Sequence, residues 1–325
     1  NEITPGFYYG RIGNPTTAAL ENAIAELENA DAGLSFASGI TAISAAILTT
    51  VRTGENIVAP RSGYSTTQHF LKFIETEFGI ESIFADGADA AAYAEAANDK
   101  TRMFLIESPS NPLLQITDLT AVAEFARSRG IVTLADNTFA TPFNQRPVEF
   151  GVDLVVHSAT KYLGGHSVLT AGLLAGRSDL IGTARQKGAK LFGGNIAPQV
   201  AWLVLRGIKT LALRMERHNS NAYALANMLA SDARVVKVYY PGLAGHLNHN
   251  IAARQMGRGF GGMISFDLGT KERGQAFVNS VKLCALATSL GGVESIVQHS
   301  ASMTHATLSS EEREAAGIGE GLIRF

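Results

Sequence analysis

Cysteine is almost missing from this sequence: its 325 residues include one, Cys284, so no disulfide can form within the chain. The apolar setting of that residue, "VKLCALATSL", reads as a small buried hydrophobe and not as a reactive thiol. An excess of either charge is missing too. The 27 Lys and Arg and 29 Asp and Glu leave a net charge of −2, which removes the counterion release that drives binding to nucleic acid or an anionic membrane. No run of about eighteen apolar residues occurs, and no charged, apolar and small-residue leader opens the chain. Neither a membrane-spanning helix nor secretion is expected, and the cytoplasm is the default. The start at Asn1 and the stop at Phe325, just after the strand-like "LIRF", raise the expectation that one or both natural ends lie beyond this sequence. Proline is scarce, 9 residues against 33 glycines, and charged residues make up 17% against 46% hydrophobic, a composition that argues against disorder. A small, locally recognised ligand suits such a chain better than a large polyanion.

The length exceeds one hydrophobic core, so about two domains are expected. Helix-like and strand-like segments alternate through "ALENAIAELENA", "AGLSFAS", "ITAISAAILTTV", "ENIVAP", "MFLIESP", "LTAVAEFARSRG", "IVTLADN" and "GVDLVVHSA". Short, continuously apolar strands between amphipathic helices predict a mostly parallel sheet covered on both faces. Such a sheet binds ligands at the carboxyl ends of its strands, where Glu107, Asp136 and the run His157 to Lys161 stand. Near Pro198 the rhythm changes to one long helical stretch, "PQVAWLVLRGIKTLALRMERHNSNAYALANMLAS". A smaller α+β domain is expected from about residue 207, with "GLAGHLNHN" as a long polar loop.

Several motifs lead nowhere. Ser158 and Lys161 form an S-x-x-K, but the partners of a serine acyl-enzyme are replaced by Ser231-Asp232-Ala233 and Lys209-Thr210-Leu211. Gly257, Gly259 and Gly262 match G-x-G-x-x-G ahead of a strand instead of between strand and helix, which makes the segment a turn. His246 and His249 lack a carboxylate or cysteine at ligand spacing, and no metal is expected. Lys161 differs. A lone lysine at a sheet mouth is usually a solvated cap, yet Asp136 ends the preceding strand, where a buried carboxylate needs a cation or a protonated ring nitrogen. Ser38 and Gly39 form a turn feeding a helix whose first N–H groups suit an anion. A lysine for a Schiff base, an aspartate for a pyridinium and a helix N-terminus for a phosphate together describe a pyridoxal phosphate pocket.

The sequence also resembles a known family, the fold-type-I pyridoxal phosphate enzymes of cysteine and methionine metabolism. Cystathionine γ-synthase and γ-lyase, methionine γ-lyase and the O-acylhomoserine sulfhydrylases belong to it. The resemblance runs from "YYGRIGNPTTAALE" to "LIRF" through "ESPSNP", "ADNTF", "VDLVVHSATKYLGGH", "LRGIKTLALRM", "YPGL" and "SLGGVES", in order. It implies an α/β fold with an incomplete N-terminal arm over residues 1–10, a cofactor-binding domain over 11–206 and an incomplete C-terminal domain over 207–325. By the resemblance Lys161 holds the cofactor as an internal aldimine and then moves protons. Asp136 keeps the pyridine nitrogen protonated, though capping the next turn would also explain it. Asn111 bonds the phenolic oxygen, although Asn-Pro is also ordinary turn chemistry. Tyr64 stacks on the ring and acts as general acid, although stacking alone would account for a tyrosine there. Ser38, Gly39, Ile40, Ser158 and Thr160 hold the phosphate, with Tyr9 and Arg11 reaching it from a neighbouring subunit. Arg324, helped by Ser289, forks the substrate carboxylate.

The activity so implied is γ-elimination with carbon–sulfur cleavage on an amino acid; γ-replacement is the alternative, and aminotransfer a reading from another class. A homo-oligomer with shared sites is implied, a dimer or a tetramer built from two dimers. Two positions depart from the pattern. Thr288 stands where cystathionine-processing relatives carry a glutamate, and Thr66 where methionine γ-lyases carry a cysteine. Val168 replaces a commonly acidic residue, and nothing in the sequence explains it.

Overall fold

The computed structural model describes residues 6–306 and 308–325. The apolar segments become β1 (Ala32–Phe36), β2 (Asn56–Pro60), β3 (Glu81–Ala85), β4 (Thr101–Glu107), β5 (Val132–Asp136), β6 (Leu154–Ser158) and β7 (Gly172–Gly176). They form a seven-stranded sheet in the order β1-β7-β6-β5-β4-β2-β3. Strands β2 to β6 pair in parallel, while β7 runs antiparallel to both β6 and β1. Strands β2 and β7 are buried at every position, as continuous apolar runs require when helices cover both faces. One face packs Ile43, Ile47, Leu71 and Ile74 against the sheet, the other Leu119, Val122 and Ala126. Each fully buried Leu or Ile contributes about 1.5–3 kcal/mol.

Local signals set the helix ends. Asn14 caps the helix Pro15–Glu28 by accepting from the N–H groups of Thr16 and Thr17. Gly79, with φ of 63°, ends Ser65–Phe78 in the left-handed region that glycine enters without strain. Ser38 caps Gly39–Thr50, and that helix starts hard against the end of β6, since a Cβ on Gly39 would lie 2.8 Å from the Ser158 Cβ. Glycine is what permits the approach.

The second sheet comprises β8 (Lys237–Tyr239), β9 (Ser265–Asp267), β10 (Ala285–Leu286), β11 (Ile296–His299) and β12 (Leu322–Arg324), ordered β10-β11-β12-β9-β8. Strand β12 pairs antiparallel with both β11 and β9. The expected long helix is instead two, Pro198–Ile208 and Leu211–Ala230. The Gly207 carbonyl at the break accepts from the Thr210 N–H and from Arg214 Nη2, so it is withdrawn from continuous helical pairing. Cys284 is only partly buried, because the short β10 lies at the sheet edge. The polar loop is shorter than read: His249 already opens a helix to Gln255. Its Nδ1 faces the Pro241 carbonyl at 2.9 Å, and among the described residues no group of three His, Cys, Asp or Glu is arranged for a metal.

Candidate active site

The carboxyl ends of β4, β5 and β6 open into a cavity of about 490 Å³. Lys161, Asp136, Tyr64, Asn111 and Arg324 line it, together with Ser38, Gly39, Ile40, Ser158, Thr160, Thr288 and Ser289. Of the thirteen residues to which the resemblance gives a role, eleven thus meet in one place. Tyr9 and Arg11 are not among them. Arg11 lies over the Tyr9 ring at 5.1 Å and donates from Nη1 to the Lys190 carbonyl at 2.6 Å, while Tyr9 is exposed.

Lys161 follows β6, and its Nζ donates to Ser289 Oγ at 2.7 Å. Burial, and after it the charge of Arg324, brings the amine down to about 8. At pH 7 the neutral fraction is then about 200 times that of a lysine at the ordinary ~10.4. Acylation of Lys161 in the cofactor-free protein, followed by peptide mass spectrometry, should show a midpoint near 8. A midpoint shared with the surface lysines would contradict this environment.

Asp136 is held by its neighbour: Oδ1 accepts from the Thr138 N–H at 3.0 Å, and Thr138 Oγ1 accepts from the Ser158 N–H at 2.9 Å. The turn-capping expected as the bland role is therefore present, and it fixes the carboxyl at the cavity wall. Burial raises Asp136 above the usual carboxylate range. Glu107, its Cα partner on β4, is pushed up to about 8 by burial and by the Asp136 charge. A cationic group bound beside this pair would find an anion already short of solvent.

Arg324 comes from β12 and is 4% exposed. Its Nη1 donates to Asn111 Oδ1 at 3.1 Å and its Nη2 to the Ser289 carbonyl at 2.9 Å, leaving further donors of the five on the fork for a ligand. Burial lowers it to about 10. Ser289 holds φ of 77°, a costly conformation for a residue with a side chain, and from it reaches both Lys161 and Arg324. Opposite, the first turn of Gly39–Thr50 faces the cavity. Ser38 Oγ bonds the Thr41 hydroxyl and N–H, and Thr160 Oγ1 accepts from the Ala171 N–H, so both hydroxyls are oriented in advance. Tyr64 stands half-exposed ahead of Ser65–Phe78. Val168 is exposed, and nothing in the structure explains it.

These residues fit pyridoxal phosphate. A buried amine of lowered basicity, a buried carboxyl and a glycine-opened helix N-terminus answer in turn an aldehyde, a ring nitrogen and a phosphate. Sequence reading placed Glu107 at the ligand-binding end of the sheet without giving it a role, and it missed Thr138 and Thr170 as lining residues. Glu107 carried the signal that exposed Asp136, a carboxylate closing an apolar strand. Thr138 and Thr170 carried none, since threonine is ordinary in turns.

Residues 1–325 match the family of Cys/Met metabolism PLP-dependent enzymes. The chain is 44% identical to the L-methionine gamma-lyase of Fusobacterium nucleatum, covering 98% of this chain and 82% of that protein. It is also 44% identical to the cystathionine gamma-lyase of Bacillus subtilis, over 98% and 84%. Among solved structures, cystathionine gamma synthase from Xanthomonas oryzae in complex with cystathionine is similar with a TM-score of 0.94 and 42% identity, over 99% of this chain and 83% of that one.

Proposed function

Because the chain belongs to the Cys/Met metabolism PLP-dependent enzymes, we propose that it cleaves the Cγ–S bond of a sulfur amino acid with a single amino group, methionine or homocysteine. The products are a thiol from methionine or hydrogen sulfide from homocysteine, with ammonia and a 2-keto acid, and one water is consumed. The observation that carries this reading is one cavity holding Lys161, Asp136 and Arg324, with the uncharged Thr288 on its wall. Pyridoxal phosphate, when bound there, supplies an electron sink for the charge left on the substrate carbons. Gly39 and Ile40 N–H groups with the Ser158 and Thr160 hydroxyls hold its phosphate, Asn111 its phenolic oxygen, and Asp136 its ring nitrogen. Arg324 forks the substrate α-carboxylate, which aims Cα at the Lys161 amine. Lys161 removes protons from the α and β carbons, and its lowered pKa keeps it a usable base near neutral pH. Tyr64, at the cavity mouth, gives its proton to the departing sulfur.

The methionine gamma-lyase of Fusobacterium nucleatum and the cystathionine gamma-lyase of Bacillus subtilis are each 44% identical to this chain, so overall identity does not choose between the two substrates. Thr288 argues against cystathionine, whose second ammonium would find no carboxylate there; leaving such a charge without a partner costs about 1–3 kcal/mol or more. Thr288→Glu should raise kcat/KM for cystathionine about ten- to a hundredfold relative to methionine. A wild type already faster on cystathionine than on any singly aminated substrate would show that Thr288 does not set the preference. γ-Replacement on O-acetylhomoserine is the second reading, favoured by the similarity to the synthase structure. Product analysis with methionine, homocysteine, cystathionine and O-acetylhomoserine, with and without sulfide, separates the two. Ammonia release without an acceptor keto acid separates both from aminotransfer.

Tyr9 and Arg11 lie outside the cavity in a segment whose Phe7, Tyr8 and Tyr9 are all exposed. This supports a role for them in the phosphate site of a second copy, in a dimer that pairs into a tetramer. Mixing inactive Arg11→Ala with inactive Lys161→Ala should restore one intact site per hybrid dimer. Hybrids that form and stay inactive would end that proposal. The proposed division remains an arm over 1–10, a cofactor-binding domain over 11–206 and a C-terminal domain over 207–325. Among the described residues no helix is long and apolar enough to cross a membrane.

A further inference from the structure

Glu107 closes β4 beside Asp136, and the chemistry above makes no use of it. Main-chain N–H groups engage both of its oxygens: Oε1 accepts from Asn111 at 2.7 Å and Oε2 from Tyr64 at 2.8 Å. The two donors belong to different loops. Tyr64 precedes the helix Ser65–Phe78, where its own side chain makes no cap bond. Asn111 lies beyond β4, where its Oδ1 receives Arg324 Nη1. The Tyr64 loop is drawn tightly onto the carboxyl, since a Cβ on Gly63 would lie 2.9 Å from Glu107 Oε2.

We propose that Glu107 is a positioning residue that clamps the backbones of Tyr64 and Asn111 to the end of β4, setting the tyrosine ring and the Asn111–Arg324 contact in register with the cavity. A carboxyl suits this task and an amide does not. Glutamine has one accepting oxygen, and its nitrogen would turn a donor toward one of the two N–H groups. A displacement of about 1 Å among such groups lowers a rate on the order of a hundredfold. The proposal rests on the reading of Tyr64 and Asn111 as cofactor contacts.

The test compares wild type, Glu107→Gln and Gly63→Ala as pyridoxal phosphate-loaded enzymes. Gly63→Ala keeps the carboxyl and pushes only the Tyr64 loop away from it. The readouts are thermal melting, cofactor content after alkaline release, the visible circular dichroism of the bound cofactor, and kcat and KM. Both variants should be folded and loaded like wild type, with the dichroic band at least halved and kcat down about ten- to a hundredfold. A folded, loaded Glu107→Gln or Gly63→Ala with a wild-type dichroic band overturns the clamp. So does a kcat loss matched throughout by loss of folded or loaded protein. The dichroic band is read without turnover. A wild type inert on every amino acid would therefore overturn the proposed reaction and still leave the clamp tested.

Discussion

Lys161→Ala should abolish turnover, with kcat down at least about 10⁴-fold, and should remove the visible absorption that covalent attachment of pyridoxal phosphate produces. On the proposed reading two functions disappear together: the amine that binds the cofactor and the base that moves protons, the latter alone contributing about 10²–10⁴-fold. Among the residues lining the cavity, Lys161 is the one amine. The fold should survive, because the side chain is partly exposed and its bond, to Ser289 Oγ, joins two groups at the cavity surface. Absorption spectra and borohydride trapping followed by peptide mass spectrometry decide the matter. An unchanged visible band with reducible label on another lysine would show that the cofactor is attached elsewhere.

Asp136→Asn should lower kcat on the order of 10²–10³-fold, as expected for removal of one preorganised charge from a water-poor site. The amide keeps the shape and an oxygen for the Thr138 N–H, so geometry is preserved while the anion is lost. The same substitution should act on stability with opposite sign in the two forms of the protein. Burial raises the folded pKa of Asp136, so without a cation beside it the stability it lends at low pH is lost as pH rises through that folded value. Cofactor-free Asp136→Asn should therefore melt higher than cofactor-free wild type at pH 8, and the loaded variant lower than loaded wild type. Calorimetry on the four samples checks both signs. A loaded variant as stable and as fast as wild type would remove Asp136 from the ring nitrogen.

Much of this site was legible because parallel-sheet strands are apolar throughout, so that a polar residue closing one is conspicuous. Glu107, Asp136 and Ser158 end β4, β5 and β6 and were visible in this way. The position of β1 was not. Its sequence "AGLSF" matches its neighbours in character, and nothing in it dictates antiparallel pairing with β7 at the far edge. The break after Ile208 was hidden because "RGIKTLA" has no proline, and the interruption depends on Arg214 reaching back to Gly207. Arg324 could be named from family resemblance, but its contacts with Asn111 and Ser289 join remote segments that no local pattern connects. Tyr9 and Arg11 were named by the same resemblance and lie away from the cavity.

Strand β12 lies inside its sheet, between β11 and β9, and delivers Arg324 to a partner 213 positions earlier in the chain. During synthesis, residues through Gly176 can complete the seven-stranded sheet before residues 177–325 are made. Domains tend to form as they emerge from the ribosome. The growing chain can therefore place Lys161 and Asp136 beside each other well before the carboxylate fork exists. Cofactor capture can then precede recognition of any amino acid, so that the nascent protein can hold its most reactive group before it has a substrate to act on.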